Sequence, residues 1–472
     1  MKSGRHMTRL FAAVGLAVGA GVVAVPGSAL PVHAVTCAAL CGGGEFHPLT
    51  PVRVFDSRPA SAINDVAPLG AKPLAAPEPA VFDIAMLGLG GIPPTATDVL
   101  AVVVNITVTE PSASGYLEAY GKGAKPGTRT SIINFVANQT VPNVSIVRPG
   151  DGGQVEIGLF GQSGTAQVIV DVFGWFSTSA ASDIAATGGA RLIPTTPSRV
   201  LDTRAGQFNV NRTPAAPLGP QETMVLPIRG VDGVNPARPD VVPNDPNVSG
   251  VLLNMVGITG NNATHLSLFP NALPAGQAPT TSNLNLAPNS IKANLVFVPV
   301  GDDGSVRIFN NQGSTDVVAD VVGYMLSGQP ETSRAGRVVP LSSPYRTFDT
   351  RLPQWGGVAL GPGQAEDWSF ADFASSVAIG PDAVGNQLAV IGNLTSASVT
   401  RQYPSQPVSS FITAYPAGAE RPLSSNLNTT EGPAAVPNMA VLPYGANNTV
   451  RIYNLAGYAH YLFDASAVVL ND

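Results

Sequence analysis

Charged and aromatic residues are both scarce in this 472-residue chain. Charged residues make up 12% of it and aromatic residues 6%, and the formal net charge is −6. An acidic chain is a poor partner for nucleic acid or for an anionic membrane surface, because both select basic patches. Few aromatic rings also limit the stacking platforms available for polysaccharide. We therefore expect contacts made mainly by hydrogen bonds and apolar surface.

Cysteine is almost absent, and the two that occur, Cys37 and Cys41, lie close together near the N-terminus. Export to an oxidising compartment favours a local disulfide between them. A lipoprotein is less well supported, since Thr36 and Leu40 precede the cysteines where a small residue is wanted. No second Cys or His pair accompanies them, so neither a metal nor another cofactor is expected. The rest of the chain must be held by hydrophobic cores.

The first 34 residues are typical of an export signal. Basic residues precede an apolar run from Leu10 to Val25, and the small residues that end at Ala34 fit a cleavage site. The alternative, an uncleaved membrane anchor, would need a longer apolar span. No later stretch is long and apolar enough to cross a bilayer. The sequence thus predicts a secreted protein with no membrane insertion after signal removal.

Long apolar stripes with helical spacing are also absent. The chain contains 50 Gly and 43 Pro, and it has short apolar runs such as Val99–Val108. Runs of this length, rich in β-branched residues and bounded by turn residues, are typical of strands. The predicted fold class is all-β.

What the chain does have is an eight-residue motif that occurs three times. Its pattern is Pro-x-Arg-x-[Phe/Leu]-Asp-[Ser/Thr]-Arg, and its copies begin at Pro51, Pro197 and Pro344. The aspartates of the motif are separated by 146 and then 147 residues. Such constant spacing indicates one domain present in three copies, and repeated modules usually multiply contacts rather than chemistry.

Similar segments follow each octapeptide in the same order, which sets the expected domain boundaries. Each copy has the size of one independent domain and some eight short strands, so we predict three tandem β-sandwich modules, with closed-barrel modules as the alternative. The predicted segments are a signal peptide (1–34), a cysteine-containing N-terminal segment (35–45), module 1 (46–176), a linker (177–190), module 2 (191–325), a linker (326–337) and module 3 (338–472).

The repeat resembles a module of secreted proteins from high-GC Gram-positive bacteria. The resemblance is carried by Pro-x-Arg-x-x-Asp-Thr-Arg, by a Ser-Asn-Leu-Asn strand, by Val-Pro-Asn and by Ala-Asp-Val-Val-Gly-Tyr, and module 2 matches best. It covers essentially the whole chain after the signal. The resemblance implies an extracellular module, associated with the cell envelope, and it supplies no ligand.

The charged residues of the octapeptide are the first candidates for a functional site. An arginine beside an aspartate lowers the pKa of that carboxyl group and removes it as a proton donor near neutral pH, so catalysis is not expected. Two interpretations stay open, a structural clamp that holds the N-terminal segment to the sandwich and a contact to a ligand. The candidate residues are Arg53, Asp56, Arg58, Arg199, Asp202, Arg204, Arg346, Asp349 and Arg351.

Asparagines at equivalent strand positions are the second candidates. They would line a sugar-binding groove or would satisfy strand ends and turn backbone, and their regular recurrence favours a role in the fold. They are Asn105, Asn134, Asn254, Asn285, Asn393 and Asn428.

These features predict a secreted, non-catalytic repeat protein with a structural or adhesive role at the cell surface or in the extracellular matrix. Its partners would be a cell-envelope glycan or protein, or other copies of itself. The first alternative is a carbohydrate- or peptidoglycan-binding protein, with similar contacts in all three modules. The second is an exported hydrolase with a site in the divergent third module, near Trp355, Trp368 and Tyr403.

Overall fold

The fold is all-β, as predicted. A computed structural model describes residues 43–59, 73–76, 80–127, 129–178, 188–206, 210–211, 214–234, 237–330, 332–371, 373, 387–401, 403, 409–432 and 434–472. Strands and tight turns account for nearly all of these residues. Short 3-10 turns lie at Asp151–Gly153, Pro353–Trp355 and Ala446–Asn448.

The described part of module 1 contains nine strands, of which β4 and β9 are long and almost fully buried. They are β1 (Phe46–Asp56), β2 (Leu74–Ala75), β3 (Ala80–Ala85), β4 (Val99–Thr109), β5 (Gly115–Gly121), β6 (Ile133–Phe135), β7 (Val141–Val147), β8 (Gln154–Phe160) and β9 (Thr165–Ser177).

Modules 2 and 3 repeat this series, and module 2 adds a small hairpin. The strands of module 2 are β10 (Ala190–Asp202), β11 (Glu222–Pro227), the hairpin β12 (Val231–Gly233) and β13 (Arg238–Val242), β14 (Val248–Thr259), β15 (Thr264–Phe269), β16 (Leu284–Leu286), β17 (Ile291–Pro299), β18 (Ser305–Asn310) and β19 (Thr315–Ser327). Those of module 3 are β20 (Val338–Asp349), β21 (Ala365–Ser369), β22 (Gln387–Thr400), β23 (Ser409–Pro416), β24 (Leu427–Thr430), β25 (Val436–Pro443), β26 (Thr449–Asn454) and β27 (Tyr458–Leu470).

Each module is a sandwich of two four-stranded antiparallel sheets. We call them the inner sheet and the outer sheet. In module 1 the inner sheet has the order β1-β9-β4-β7 and the outer sheet β3-β8-β5-β6, and modules 2 and 3 repeat both orders with their equivalent strands. Counting the eight principal strands along the chain, the orders are 1-8-3-6 and 2-7-4-5, which is a jelly roll. The sheets are open and face each other, so the closed-barrel alternative is wrong.

Each module has its own hydrophobic core between its two sheets. In module 1 this core contains Val102, Val104 and Ile106 of β4 together with residues of the outer sheet such as Leu117 and Ile157. Modules 2 and 3 have equivalent cores. Because side chains alternate across a strand, every second residue of β4 faces this core.

The other face of each inner sheet packs into a fourth cluster that all three modules build together. We call it the shared core. The inner sheets are therefore buried on both faces, which explains why β4 is apolar without alternation. The shared core contains Phe46, Ala101, Val103, Val144, Ile146, Phe173, Phe176, Ala190, Leu192, Leu252, Leu295, Phe297, Val322, Met325, Val338, Ala389, Ile391, Met439, Val441, Ala467 and Val469.

The first strands of the modules meet beside the shared core. Phe46 of β1 pairs with Ala190 of β10, which joins the inner sheets of modules 1 and 2. Gly44 forms a bridge with Val338 of β20, and the amide of Leu192 donates to the carbonyl of Gly336 at 2.9 Å. Main-chain hydrogen bonds thus link the three modules to one another at, or just before, their first strands.

The segment expected as a second linker, 326–337, packs against the modules. Arg191 is 1% exposed, and its guanidinium donates to the carbonyls of Ser333 and Pro330 at 2.7 and 2.9 Å and to Glu45 at 3.0 Å. A guanidinium group satisfied in this way anchors the segment. The part of this connection that the structure describes is tied to modules 1 and 2.

Candidate functional site

The first arginine of each octapeptide binds two aspartates. In module 1, Arg53 Nε donates to Asp171 Oδ1 at 2.9 Å, and Nη1 donates to Asp56 Oδ2 at 3.4 Å. Asp171 lies on β9, directly opposite Arg53 in the pairing of β1 with β9. The arginine therefore joins the first and last strands of the sandwich. The equivalent groups are Arg199 with Asp202 and Asp320, and Arg346 with Asp349 and Asp464.

The second arginine binds the motif aspartate from the other side. Arg58 Nε and Nη2 donate to the two oxygens of Asp56 at 2.9 and 2.6 Å, and the Arg58 amide donates to Oδ1 at 3.0 Å. The Asp56 carboxylate is buried and lies between two guanidinium groups, an arrangement that satisfies its oxygens. Arg204 binds Asp202, and Arg351 binds Asp349, in the same way.

The Ser or Thr between these residues also has a partner on the last strand. Ser57 Oγ accepts from the amide of Val168 at 2.8 Å, and the Ser57 amide donates to the Val168 carbonyl at 2.9 Å. Thr203 and Thr350 make the same pair of bonds. Most of these polar contacts of the octapeptide thus lie within the inner sheet.

The aspartates of the last strands also reach a neighbouring module. Asp464 of module 3 accepts a hydrogen bond from the amide of Ser131 in module 1 at 3.1 Å. Burial raises the pKa of the Asp464 carboxyl, while the paired Arg346 and the Ser131 amide act in the opposite direction. The Ser425 amide of module 3 likewise donates a hydrogen bond to Asp320 of module 2, which acts to lower the pKa of that carboxyl. The octapeptide therefore contributes to the contacts between modules indirectly, through these aspartates. It also contributes directly, because Arg199 Nη2 donates to the carbonyl of Leu423 in module 3 at 3.2 Å.

Asparagines on β4, β14 and β22, which are equivalent strands of the three inner sheets, link the modules in a closed cycle. Each side-chain amide donates to the carbonyl of a serine in the next module, and the three serines hold equivalent positions just before a short strand of the outer sheet. Module 1 donates to module 2, module 2 to module 3 and module 3 to module 1. The pairs are Asn105 with Ser282, Asn254 with Ser425, and Asn393 with Ser131.

A second set of asparagines, on β7, β17 and β25, completes these interfaces. Asn143 Nδ2 donates to Asn393 Oδ1 at 2.9 Å and to the carbonyl of Ile132 at 2.6 Å. Its own Oδ1 accepts from the amide of Met439 in module 3 at 3.0 Å. Asn294 and Asn438 take the equivalent positions. This set was missed in the sequence, although its Pro-Asn or Ala-Asn step recurs in every copy.

The remaining candidate asparagines hold the serines in place. Asn134 Nδ2 donates to Ser131 Oγ at 3.0 Å, and Asn285 and Asn428 bind Ser282 and Ser425 at 3.1 and 3.2 Å. Asn105, Asn254 and Asn393 are buried between modules, and so they do not line three equivalent sugar-binding grooves.

The other candidates fall in different places. Cys37 and Cys41 lie outside the described residues. Trp355 and Trp368 contact each other, with ring centroids 5.9 Å apart, and Trp368 donates to Tyr461 Oη at 2.8 Å, whereas Tyr403 is 55% exposed.

Among the residues that the structure describes, no group of three His, Cys, Asp or Glu side chains is arranged to hold a metal ion. The same residues include no helix long and apolar enough to cross a membrane.

A cavity of about 640 Å³ opens where the three modules meet. Its wall combines rings, side-chain amides and two charged groups. Tyr116 and Phe160 of module 1 are stacked, with centroids 5.2 Å apart. The lining includes Tyr116, Asn134, Phe160, Asn285, Lys292 and Glu431.

Lys292 is the basic residue of this lining, and it is partly buried. Burial lowers the pKa of its amine, and no charged neighbour counters that effect among the described residues. The nearby Glu431 is bound by Arg401, whose Nε donates to it at 2.7 Å. As far as the described residues extend, the amine is therefore a cation without a counter-ion in the wall of a cavity.

No family model matches the chain, and no curated protein matches it. Among solved structures it is similar to a triple jelly-roll protein of an archaeal virus turret and to a protein of Sulfolobus Turreted Icosahedral Virus, each at 9% identity and a TM-score of 0.17 over 91% of both chains. It is also similar to the tandem CBM22 domain of Paenibacillus barcinonensis Xyn10C, at 12% identity and a TM-score of 0.14 over 62% of this chain and 100% of that one. Likenesses this low carry no argument about function.

Proposed function

We propose that this chain is a secreted, non-catalytic protein with a structural or adhesive role at the cell surface or in the extracellular matrix. In this proposal the three modules act as one body, because they share a core and bind one another in a closed cycle. The predicted export signal supports secretion, and the resemblance to an envelope-associated module supports the location.

The observation that carries the proposal is the use of the repeated polar residues. The arginines and aspartates of the octapeptide bind one another, and the asparagines bind neighbouring modules. A catalytic site would instead need a nucleophile, base or acid free to meet a substrate. The side chains that occur three times serve the architecture.

Glycan binding is the second candidate, and the cavity between the modules favours it. A protein with one glycan site in each module would bind three glycan units at equivalent positions. This cavity is instead a single site, and residues of all three modules line it. A concave site with apolar walls and a few polar groups is the usual form of a small-molecule site. Glycan binding would give the adhesive role a molecular basis.

Co-sedimentation of the exported chain with purified cell walls and insoluble polysaccharides tests the proposal, with bovine serum albumin as the control. Sedimentation velocity over a range of concentrations tests self-association in parallel. Saturable pelleting supports adhesion, and concentration-dependent assembly supports a structural role. The absence of both results would overturn the proposal. Hydrolysis of the cell walls during the assay would overturn it as well.

A further inference from the structure

Lys292 departs from the repeat at the cavity. It stands two residues before Asn294, and the equivalent positions before Asn143 and Asn438 are both valine, Val141 and Val436. All three positions line the cavity. Module 2 therefore has a cationic side chain where the other two copies have an aliphatic one.

The lysine has no structural role that would explain this departure. Its amine forms no hydrogen bond or ion pair with the described residues, and burial lowers its pKa. A partly desolvated ammonium group without a partner destabilises the folded state, whereas a valine there would not. Positions that depart from a local rule at such a cost are typical of functional sites.

The residues around the Lys292 amine indicate what kind of ligand would fit the cavity. Phe160, Val436 and the prolines Pro142 and Pro437 present apolar surface, which suits the C–H faces of a sugar ring. Asn134 Oδ1 has no donor among the described residues and is available to a hydroxyl group. The lining thus offers apolar contact, a hydrogen-bond acceptor and one positive charge.

We infer that the central cavity binds a carboxylated saccharide, with Lys292 Nζ as the counter-ion of its carboxylate. This inference rests on the proposed glycan binding and names its ligand class. A single lysine matches a monoanion, while a phosphate group would need more donors than this lining provides. The Glu431 carboxylate in the same wall also disfavours a dianion.

Isothermal titration calorimetry of the exported chain at pH 7 tests the inference with four probes. Methyl galacturonoside, which has one carboxylate, and the N-acetylglucosamine–N-acetylmuramic acid disaccharide carry the carboxylate on two different sugars. The methyl ester of methyl galacturonoside and N,N′-diacetylchitobiose are their neutral counterparts. The two pairs tell a uronic acid from a muramic acid.

The decisive variant is Lys292→Met, which keeps the length of the side chain and removes the charge. We expect it to weaken binding of the acidic probe roughly ten- to a hundred-fold, because it removes one charge-assisted hydrogen bond. Binding of the neutral counterpart should be weak in both proteins. The matched control is Lys122→Met, which removes a surface lysine that lies outside the lining and pairs with Asp83. It should leave the affinity unchanged.

The results separate this inference from the proposed function. Equal affinity for acidic and neutral probes, equal affinity of both variants, or no binding of either acidic probe at millimolar concentration would overturn the inference. Pelleting with cell walls alongside such a result would leave adhesion standing and assign it to another surface. Thermal melting of both variants confirms that a loss of binding is not a loss of fold.

Discussion

Among the residues that the structure describes, the asparagines between modules 1 and 2 form fewer hydrogen bonds than the equivalent asparagines between modules 2 and 3. Between modules 2 and 3, Asn438 Oδ1 accepts from the amide of Leu295 at 3.0 Å, and Asn438 Nδ2 donates to Asn254 at 2.9 Å. Between modules 1 and 2, the buried Asn294 Oδ1 has no hydrogen-bond partner among the described residues, and Asn294 Nδ2 donates to Asn105 Oδ1 at 3.4 Å. The interface of modules 3 and 1 resembles the more completely bonded one.

The less completely bonded asparagines lie beside Lys292, which stands two residues before Asn294. Buried polar atoms are nearly always hydrogen-bonded, so the Asn294 oxygen, which has no donor among the described residues, marks this contact as the less completely satisfied one. The carboxylate of Asp171 follows the same trend. Asp464 accepts a hydrogen bond from a main-chain amide of a neighbouring module, and Asp171 accepts none as far as the described residues extend. The comparison teaches that three equivalent interfaces need not be equally optimised, and that the difference lies beside the cavity.

The largest effect is expected for Asp464→Ala. This change leaves the half-buried Arg346 with Asp349 as its remaining carboxylate among the described residues, and it leaves the Ser131 amide without an acceptor. Breaking a buried ion pair costs about 3–5 kcal/mol, which sets the upper limit of the loss. Asp171→Ala is the matched variant, because it breaks the equivalent pair with Arg53 but no described bond to module 2. Urea unfolding at pH 7 should therefore give the larger loss for Asp464→Ala. Equal losses would mean that the bond between modules contributes nothing.

The next effect concerns a titrating group that only module 1 has. Glu118 holds the position of Ser267 and Thr413, whose hydroxyl groups donate to main-chain carbonyls, whereas Glu118 Oε1 accepts from the Thr130 amide. Burial raises the pKa of Glu118 from 4.5 to about 7. A carboxyl group whose pKa is raised on folding stabilises the fold below its unfolded pKa, and this contribution is lost as the pH rises towards 7.

Glu118→Gln should therefore remove a pH dependence. The wild-type free energy of unfolding is expected to fall between pH 4.5 and 7 by about 3 kcal/mol at most, while that of the variant changes less. The amide oxygen of the glutamine can still accept from Thr130. Urea midpoints measured from pH 4 to 8 check this, and parallel pH profiles of the two proteins would contradict it.

Asn438→Ala and Asn294→Ala compare the two kinds of interface directly. The first removes an acceptor from the buried amide of Leu295, while the second removes an oxygen that already lacks a donor. An unsatisfied buried amide costs about 1–3 kcal/mol, so Asn438→Ala should be the more destabilising by that amount. Hydrogen exchange should also accelerate at the Leu295 amide in Asn438→Ala. Unchanged exchange there would show that the bond does not protect it.

The smallest effect, and one of opposite sign, is expected for Lys292→Val. This substitution restores the residue of the other two copies and removes a partly desolvated ammonium group. We expect a gain of about 1 kcal/mol or less, seen as a higher melting temperature. The control, Lys122→Val, removes a surface lysine paired with Asp83 and should leave the melting temperature unchanged or slightly lower. A lower melting temperature for Lys292→Val would mean that the lysine stabilises the fold through a contact absent from the described structure.

Much of the fold follows from the sequence alone. The regular repeat and the turn-bounded apolar runs are sufficient to predict all-β sandwiches of about eight strands. The charges of the octapeptide also lead one to expect Asp56 between Arg53 and Arg58, because the three residues are close along the chain. The contact of Arg53 with Asp171 spans 118 residues, and only the strand order places the two opposite each other.

The shared core was not predicted, although the sequence contains an indication of it. A strand with one face in water alternates apolar and polar residues, and Val99–Val108 does not. That run requires a second buried face, but it does not say what covers it. Likewise, asparagines that serve the interface between modules have the same spacing as asparagines that would serve a groove, so the pattern does not distinguish them.

The closed cycle of modules has a consequence for how its parts can vary. If three identical chains formed the same ring as a homotrimer, every substitution would appear three times around one axis. A lysine at the position of Lys292 would then bring three ammonium groups into one cavity of about 640 Å³, where they would repel each other. Because the copies lie on one covalent chain, a single lysine can face two valines, Val141 and Val436. Fusion of the copies thus permits an asymmetric site at the centre of a symmetric architecture.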